Sequence, residues 1–299
     1  MRLFFIGNIK YSKQRLLYLD FGLLKNHIFG YMYSIHRLLY CHSNGEWKGA
    51  SGLDYPVEEN LKMVRKQMAL ACKASGRNVN DVQLLLATKT VPLEKLQIAV
   101  QAGEHLFGEN KVQELRDKYP LMEQSKAVEW HFIGHLQTNK VKEVVKYVTM
   151  IHSVDRLKLG QVLHDQLVKE QRTMDILVQI NTSYEESKFG ASPEDAVELV
   201  EQLSQFETLH VKGLMTIGKL HASADETRQC FRLLKQLSMQ IRERNIPRVE
   251  MEMLSMGMSG DFSMAIEEGA TIVRVGTNVF GPRYLPDEYY WNEHKKIED

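Results

Sequence analysis

Apolar and polar residues follow two patterns along positions 56–284. Short apolar runs, of which Leu84–Thr88 is the clearest, predict buried strands of a parallel sheet. Longer segments carry an apolar residue at every third or fourth position, as residues 57–75 do, and this spacing predicts amphipathic helices. The two patterns alternate, so strands and helices are predicted to alternate as well.

The alternation predicts eight strands, with a helix before the first strand and after every strand except the last. Alternating elements of this kind imply parallel strands, and eight such units close best as a barrel. The predicted fold class is therefore α/β, a single (β/α)8 TIM-type barrel. A doubly wound open sheet is the alternative, because the sequence does not reveal strand order. The strands are predicted over residues 82–89, 105–110, 130–134, 150–154, 175–181, 211–217, 249–255 and 271–280. Among the helices, one is predicted over 139–147 and another from residue 192 to about residue 205.

The barrel accounts for residues 56–284 of the 299-residue chain, and two segments flank it. Residues 1–55 are predicted to be a poorly ordered N-terminal extension, and residues 285–299 a charged C-terminal tail. Because residues 1–40 are basic and rich in aromatic side chains, a mitochondrial targeting peptide is one interpretation of them. An appendage of little function is the other. The protein is otherwise predicted to be cytoplasmic, since its three cysteines show neither disulfide nor metal-ligand spacing.

Charge narrows the range of partners. The 38 basic and 38 acidic residues cancel, but residues 1–53 hold seven basic and two acidic residues, so the remainder carries a net charge of −5. A mildly acidic body offers no electrostatic footprint for nucleic acid, and no apolar stretch reaches the length of a membrane span. We therefore expect neither nucleic acid nor a membrane as a partner. The protein itself is expected to be a monomer or a weak dimer.

Lys89 is the strongest candidate for chemistry. It follows the apolar run Leu84–Thr88 and precedes Pro92, which is suited to begin a helix. In α/β folds the carboxyl end of a strand is where ligands bind. A lysine that is partly dehydrated there loses basicity and can attack a carbonyl group. The alternative is a lysine that simply ends a strand where it meets water.

Two glycine-containing loops after the last two predicted strands indicate a phosphate site. The loop 255–261 contains Gly257 and Gly260, and Gly276 and Thr277 lie near the end of the last predicted strand. Glycine lets backbone N–H groups approach an anion, and phosphate often binds between the last two loops of such barrels. Each loop taken alone could be an ordinary tight turn. Asp261 must turn its carboxylate away from a phosphate, and a helix N-cap is the predicted position for it.

A lysine amine together with a phosphate pocket meets the two needs of pyridoxal 5′-phosphate (PLP). Arg274 suggests a third contact, because a guanidinium would donate to an unprotonated pyridine nitrogen. The alternative for Arg274 is an ion pair with a barrel glutamate. His131 and His135 flank a predicted strand and are candidate acid or base groups, although histidines with satisfied hydrogen bonds are the more ordinary explanation.

Seven motifs follow one another along the chain: ATKT (87–90), FGENKVQE (107–114), WHFIGHLQTNK (130–140), QINTSYEESKFG (179–190), GLMTIG (213–218), LSMGMS (254–259) and RVGTNVFGPR (274–283). Together they resemble the pyridoxal phosphate homeostasis proteins, a family once called proline synthase co-transcribed proteins. This resemblance implies a barrel like the N-terminal domain of alanine racemase, with PLP bound as a lysine aldimine. It places the aldimine at Lys89 and the ring-nitrogen donor at Arg274. It further implies phosphate contacts at Ser259, Gly276 and Thr277, with Ser255 nearby, and a pocket lined by Asn110.

Three functions are compatible with these residues. The favoured one is a non-enzymatic PLP-binding protein that stores or delivers the cofactor, with PLP-requiring apo-enzymes as partners. Related racemases carry a second domain that supplies a tyrosine base, and we expect none here, since the sequence ends fifteen residues after Tyr284. A small PLP-dependent racemase or lyase is the second possibility, with His131 or His135 as the second base. The third is a PLP-independent sugar-phosphate enzyme in which Lys89 forms a Schiff base with the substrate.

Overall fold

The computed structural model describes residues 16–18, 38–41, 47–50, 55–122, 128–219 and 222–282. The chain divides into two compact units, Met1–Pro56 and Val57–Asp299. In the first unit, strands β1 (Leu16–Tyr18), β2 (Leu38–Cys41) and β3 (Trp47–Ala50) form an antiparallel sheet with β2 in the centre. Most of the predicted extension and the whole of the predicted tail lie outside the described residues, so those two predictions stay untested.

The second unit is a closed barrel of eight parallel strands, which confirms the predicted fold class. The open-sheet alternative is excluded because the last strand, β11, pairs with the first, β4. The strands are β4 (Gln83–Ala87), β5 (Leu106–Glu109), β6 (Glu129–Phe132), β7 (Met150–Val154), β8 (Met174–Gln179), β9 (Leu209–Met215), β10 (Val249–Ser255) and β11 (Ile272–Val275).

Helices separate the strands, as parallel connections require. α1 precedes the barrel and turns the apolar stripe of Leu61, Val64 and Met68 inward. The helices are α1 (Val57–Ala74), α2 (Leu93–Gln101), α3 (Val112–Met122), α4 (Val141–Val144), α5 (Leu157–Lys169), α6 (Ala196–Leu203), α7 (Ala224–Glu243), α8 (Phe262–Glu267) and α9 (Thr277–Phe280), with short 3₁₀ turns at Val79–Asp81 and Thr138–Lys140.

Three predicted elements differ from the structure. The strand predicted over 271–280 ends at Val275, because Gly276 leaves the extended conformation and α9 follows it. The helix predicted over 139–147 is reduced to a 3₁₀ turn and the single turn α4. The helix predicted from residue 192 begins at Ala196, since Ser192 and Asp195 instead form a hydrogen-bonded turn.

Alternate residues of each strand face opposite sides of the barrel wall. Leu84 and Leu86 belong to the large core between strands and helices, whereas Leu85 packs with Ile133 and Ile272 in a separate interior cluster. Burial of this apolar surface supplies the main stabilisation of the barrel. Within the described part of the chain, no helix is both long and apolar enough to cross a membrane. Over the same residues, no group of three or more His, Cys, Asp or Glu side chains could hold a metal ion.

Candidate functional site

Lys89 lies two residues beyond the end of β4, at the carboxyl-terminal rim of the barrel. It is 8% exposed, which is unusual because a lysine is rarely this buried. The chain turns tightly around it: the N–H of Val91 donates to the carbonyl of Thr88 at 2.9 Å, and Thr90 has a φ of +60°. The structure therefore holds an amine in a buried turn where the sequence predicted a strand end.

Two loops meet beside this turn and form an oxygen-binding position. The N–H groups of Gly276 and Asn278 both point at the Ser259 hydroxyl oxygen, at 3.2 and 3.4 Å. The Asn278 side chain ties the loops together by donating to the Ser259 carbonyl at 2.8 Å. Thr277 begins α9 between these two residues and is partly exposed. Two N–H groups that converge on one oxygen are the arrangement that an anion such as phosphate requires.

Strand pairing places these loops next to the lysine. Val275 pairs with Leu86, so the chain that follows β11 runs alongside the end of β4. A Cβ at Gly276 would lie 3.0 Å from the carbonyl oxygen of Ala87, and only a glycine allows this approach without displacement. Ala87 is two residues before Lys89, so the amine-bearing turn and the oxygen-binding position belong to one site.

Asp261 occupies the N-cap position of α8, but its carboxylate makes no bond to the helix amides. It accepts a hydrogen bond from the N–H of Met258 at 2.5 Å instead, within its own loop. Burial raises the pKa of this carboxyl group above its usual range. The predicted N-cap position is therefore confirmed, but the Asp261 carboxylate bonds within its own loop instead of capping the helix.

Arg274 projects into the barrel interior from β11 and is 5% exposed. One terminal nitrogen donates to both the carbonyl and the hydroxyl oxygen of Ser255, each at 2.8 Å, and the other donates to the Thr216 carbonyl at 2.8 Å. Burial lowers the pKa of Arg274 to about 10, which leaves it protonated at neutral pH. No carboxylate of the described residues forms an ion pair with it, so the glutamate alternative is not observed there. Partners among the described residues engage three of its five N–H groups, which leaves two without a partner there.

Ser255 connects Arg274 to two buried histidines. Its hydroxyl lies 3.0 Å from Nδ1 of His152, and Nε2 of His152 lies 2.9 Å from Nδ1 of His131. Nε2 of His131 in turn lies 3.1 Å from the Glu129 carboxylate, at the amino-terminal end of β6. A continuous hydrogen-bonded chain thus runs through the barrel interior from Arg274 to Glu129.

Arg274 and Glu129, at the two ends, determine which group donates in each of these hydrogen bonds. The Glu129 carboxylate only accepts, so His131 donates to it. In a neutral pair, His131 then accepts from His152, and His152 accepts from the Ser255 hydroxyl. The hydrogen bond from His131 is the main reason that the pKa of Glu129 falls to about 2. Burial is the main reason that the pKa of His152 lies well below its usual range, and the positive charge of Arg274 adds to the effect.

The remaining predicted site residues are His131, His135 and Asn110. His131 lies within β6, inside the strand predicted over 130–134 and not beside it, and its ring faces the barrel interior. His135 follows the strand and stacks on the Phe189 ring, with centroids 3.7 Å apart. Asn110 directly follows β5, and Gly134 packs against it so closely that a Cβ there would lie 2.2 Å from the Asn110 carbonyl oxygen.

Sequence reasoning missed His152 and Thr216. His152 is the middle residue of the otherwise largely apolar strand Met150–Val154, and this polar interruption was the available signal. Thr216 acts through its backbone carbonyl, for which a sequence carries no signal.

Comparison with known proteins places the chain in a class and then in a family. A family model of the alanine racemase N-terminal domain matches residues 60–284, so the barrel is of the alanine racemase type. The pyridoxal phosphate homeostasis protein of Aquifex aeolicus is 42% identical over 226 residues, which are 75% of this chain and 97% of that protein. The Haemophilus influenzae protein of the same name is 37% identical over 228 residues, 76% of this chain and 96% of that protein. The chain belongs to the pyridoxal phosphate homeostasis protein family.

Solved structures agree with this assignment. PipY of Synechococcus elongatus, in a structure with PLP bound, has a TM-score of 0.67 and 32% identity, and the match covers 75% of this chain and all of that chain. An alanine racemase of Clostridium difficile is 14% identical with a TM-score of 0.59, covering 77% of this chain and 58% of that one. The racemase likeness concerns the fold alone.

Proposed function

We propose that this protein binds PLP at the carboxyl-terminal rim of its barrel, covalently through Lys89, and takes part in PLP homeostasis without catalytic turnover of its own. One observation carries the proposal: a buried lysine stands beside an oxygen-binding loop on the neighbouring strand. The relatives named pyridoxal phosphate homeostasis protein, and PipY with PLP bound, support the same conclusion.

The side chains and N–H groups at this site match the aldehyde and the phosphate of PLP. The Lys89 amine would condense with the aldehyde, forming a C=N bond and releasing one water molecule. The N–H groups of Gly276 and Thr277 and the Ser259 hydroxyl would hold the phosphate, while Asn110 lines the pocket. The hydroxyl of Ser255 is not available for the phosphate in this arrangement, because it bonds to Arg274 and His152.

Arg274 is proposed to donate one of its free N–H groups to the pyridine nitrogen. When bound, PLP supplies an electron sink for carbanions, and an unprotonated ring makes that sink weaker. Arg274 stays protonated while held by Ser255 and Thr216, so it would donate a hydrogen bond without giving up its proton. A hydrogen bond from Arg274 to an unprotonated ring therefore favours binding of the cofactor over reactions that need a strongly stabilised carbanion.

The contacts of the histidines also favour a carrier over a racemase. Both ring nitrogens of His131 are engaged, by His152 and Glu129, and the ring is almost fully buried. His135 is stacked on Phe189 near the Asp155 carboxylate. A racemase needs a second base facing the substrate, and neither histidine is presented in that way. Delivery to PLP-requiring apo-enzymes and a cytoplasmic location complete the proposal.

Borohydride trapping tests the binding mode. Protein incubated with PLP and reduced is expected to carry one pyridoxyl group on Lys89, located by peptide mass spectrometry. Lys89→Ala should lose the adduct and the yellow colour, whereas Lys140→Ala, at an exposed lysine, should retain both. An adduct elsewhere, or none, refutes the proposal. Chiral analysis of amino acids incubated with the PLP-loaded protein tests for turnover, and racemisation lost in Lys89→Ala would establish the enzyme instead.

A further inference from the structure

The turn that carries Lys89 is held in a conformation that its own sequence disfavours. Thr90 adopts a φ of +60°, in the left-handed region. A β-branched residue is a genuine outlier there, and the surroundings must offset the strain. Contacts from outside the turn must therefore keep Thr90, and with it the adjacent Lys89, in place.

Those contacts come from three charged residues on β5 and α3. The Lys118 ammonium donates to the carbonyl of Thr88 at 2.7 Å, and to the carboxylates of Glu109 and Glu114 at 2.5 and 2.8 Å. Glu109 accepts from the Thr88 hydroxyl at 2.7 Å, and Glu114 accepts from the Thr90 N–H at 2.7 Å. The backbone is thus bonded on both sides of Lys89.

The three charges depend on one another. Glu109 is fully buried, and burial raises its pKa while the adjacent Lys118 ammonium opposes the shift. Removing one partner of a buried ion pair leaves the other uncompensated, which is strongly destabilising locally. Lys118 is therefore the central member, because it alone bonds both carboxylates and the Thr88 carbonyl.

We infer that Glu109, Glu114 and Lys118 form a clamp of positioning residues, which holds the Lys89 turn so that its amine can reach the carbonyl of a ligand anchored by its phosphate. This inference rests on the proposed function. None of the three is proposed to touch the ligand. They act through Thr88 and Thr90, and Glu109 also accepts a hydrogen bond from the N–H of Asn110 at 3.0 Å.

The geometry separates the effects of the clamp from phosphate binding. The oxygen-binding position is built on β10, β11 and α9, through Ser259, Gly276 and Asn278. No hydrogen bond joins the clamp to these three residues in the part of the chain that the structure describes. Loss of the clamp should therefore impair the covalent step and leave phosphate-anchored binding in place.

The experiment compares two ligands on Lys118→Met. The first is PLP, read out as the rate of forming the borohydride-trappable adduct at Lys89. The second is 4′-deoxypyridoxine 5′-phosphate, which keeps the ring and phosphate but lacks the aldehyde, read out by calorimetry. Lys118→Met is expected to slow formation of the adduct about tenfold or more, since the Lys89 turn loses the charge-assisted hydrogen bond at the Thr88 carbonyl. The affinity of the analogue should change less than about twofold.

Two further variants distinguish positioning from general damage. Lys118→Arg retains the charge and should recover part of the rate. Thr90→Gly in the Lys118→Met background should recover it as well, because glycine adopts a φ of +60° without strain. Lys142→Met, at an exposed lysine on α4, is the matched control and should react as wild type does.

The outcomes are separable. If wild-type protein forms no adduct at Lys89, the proposed function fails. If it does and Lys118→Met reacts equally fast, the clamp inference fails alone. If PLP and the analogue lose binding in parallel, or if neither further variant restores the rate, Lys118 is merely structural and the inference is overturned.

Discussion

Burial of His152 is expected to make the stability of the barrel depend on pH below neutrality. His152 has no exposed surface, and desolvation is the largest of the effects that lower its pKa. The unfolded chain binds a proton at this imidazole near the ordinary value of about 6.5, whereas the folded protein excludes it. A depressed pKa in the folded state stabilises the protein above the unfolded-state pKa. That contribution is lost as the pH falls below about 6.5.

The magnitude follows from linkage. If the folded protein leaves His152 neutral throughout, one extra proton on the unfolded chain between about pH 7 and pH 5 removes about 2 kcal/mol from the free energy of unfolding. Protonation would also reverse the hydrogen bond from Ser255 and place a second positive charge near Arg274. The series of hydrogen bonds from Arg274 to Glu129 therefore requires His152 to be neutral.

Urea denaturation at both pH values provides the measurement. His152→Gln cannot be protonated, so it should lose about 2 kcal/mol less than wild type between the two pH values, because all other titrating groups are shared. His105→Gln removes an exposed histidine and should behave as wild type does. An equal pH dependence in wild type and His152→Gln would refute the reasoning.

Three further predictions concern the site. Gly134→Ala should lower the stability by about 1–3 kcal/mol in thermal melts, because its Cβ would lie 2.2 Å from the Asn110 carbonyl oxygen. A Cβ at Gly260 would meet open space, so Gly260→Ala should leave the melting temperature unchanged. Equal melting temperatures for Gly134→Ala and Gly260→Ala would contradict the steric argument. Arg274→Lys cannot reproduce the planar guanidinium bonds and should weaken PLP retention about tenfold, measured by equilibrium dialysis; unchanged retention would show that Arg274 is no cofactor contact. Ser259→Ala should weaken binding of inorganic phosphate about tenfold in calorimetry, and an unchanged affinity would remove Ser259 from the phosphate site.

The sequence by itself determined the barrel and the position of Lys89 at its carboxyl-terminal rim. Strand and helix periods are local signals, and eight units in alternation leave few architectures. Lys89 could be placed at a strand end because the apolar run Leu84–Thr88 stops just before it and Pro92 follows. Gly276 lay inside the strand predicted over 271–280. Strand ends were less secure: β11 stops at Val275, since a backbone change at a glycine is not visible in hydrophobic periodicity.

Only the tertiary structure decided which polar groups meet. His152 and Ser255 are 103 positions apart, and Lys118 reaches the Thr88 carbonyl across 30 positions. Barrel closure brings β11 beside β4 and turns alternate residues toward a shared interior, where burial obliges each polar group to find a partner. These pairings depend on strand order and register, which no local pattern encodes. The physical reason is that hydrophobic periodicity specifies which side of a strand is buried, but not which strand will face it.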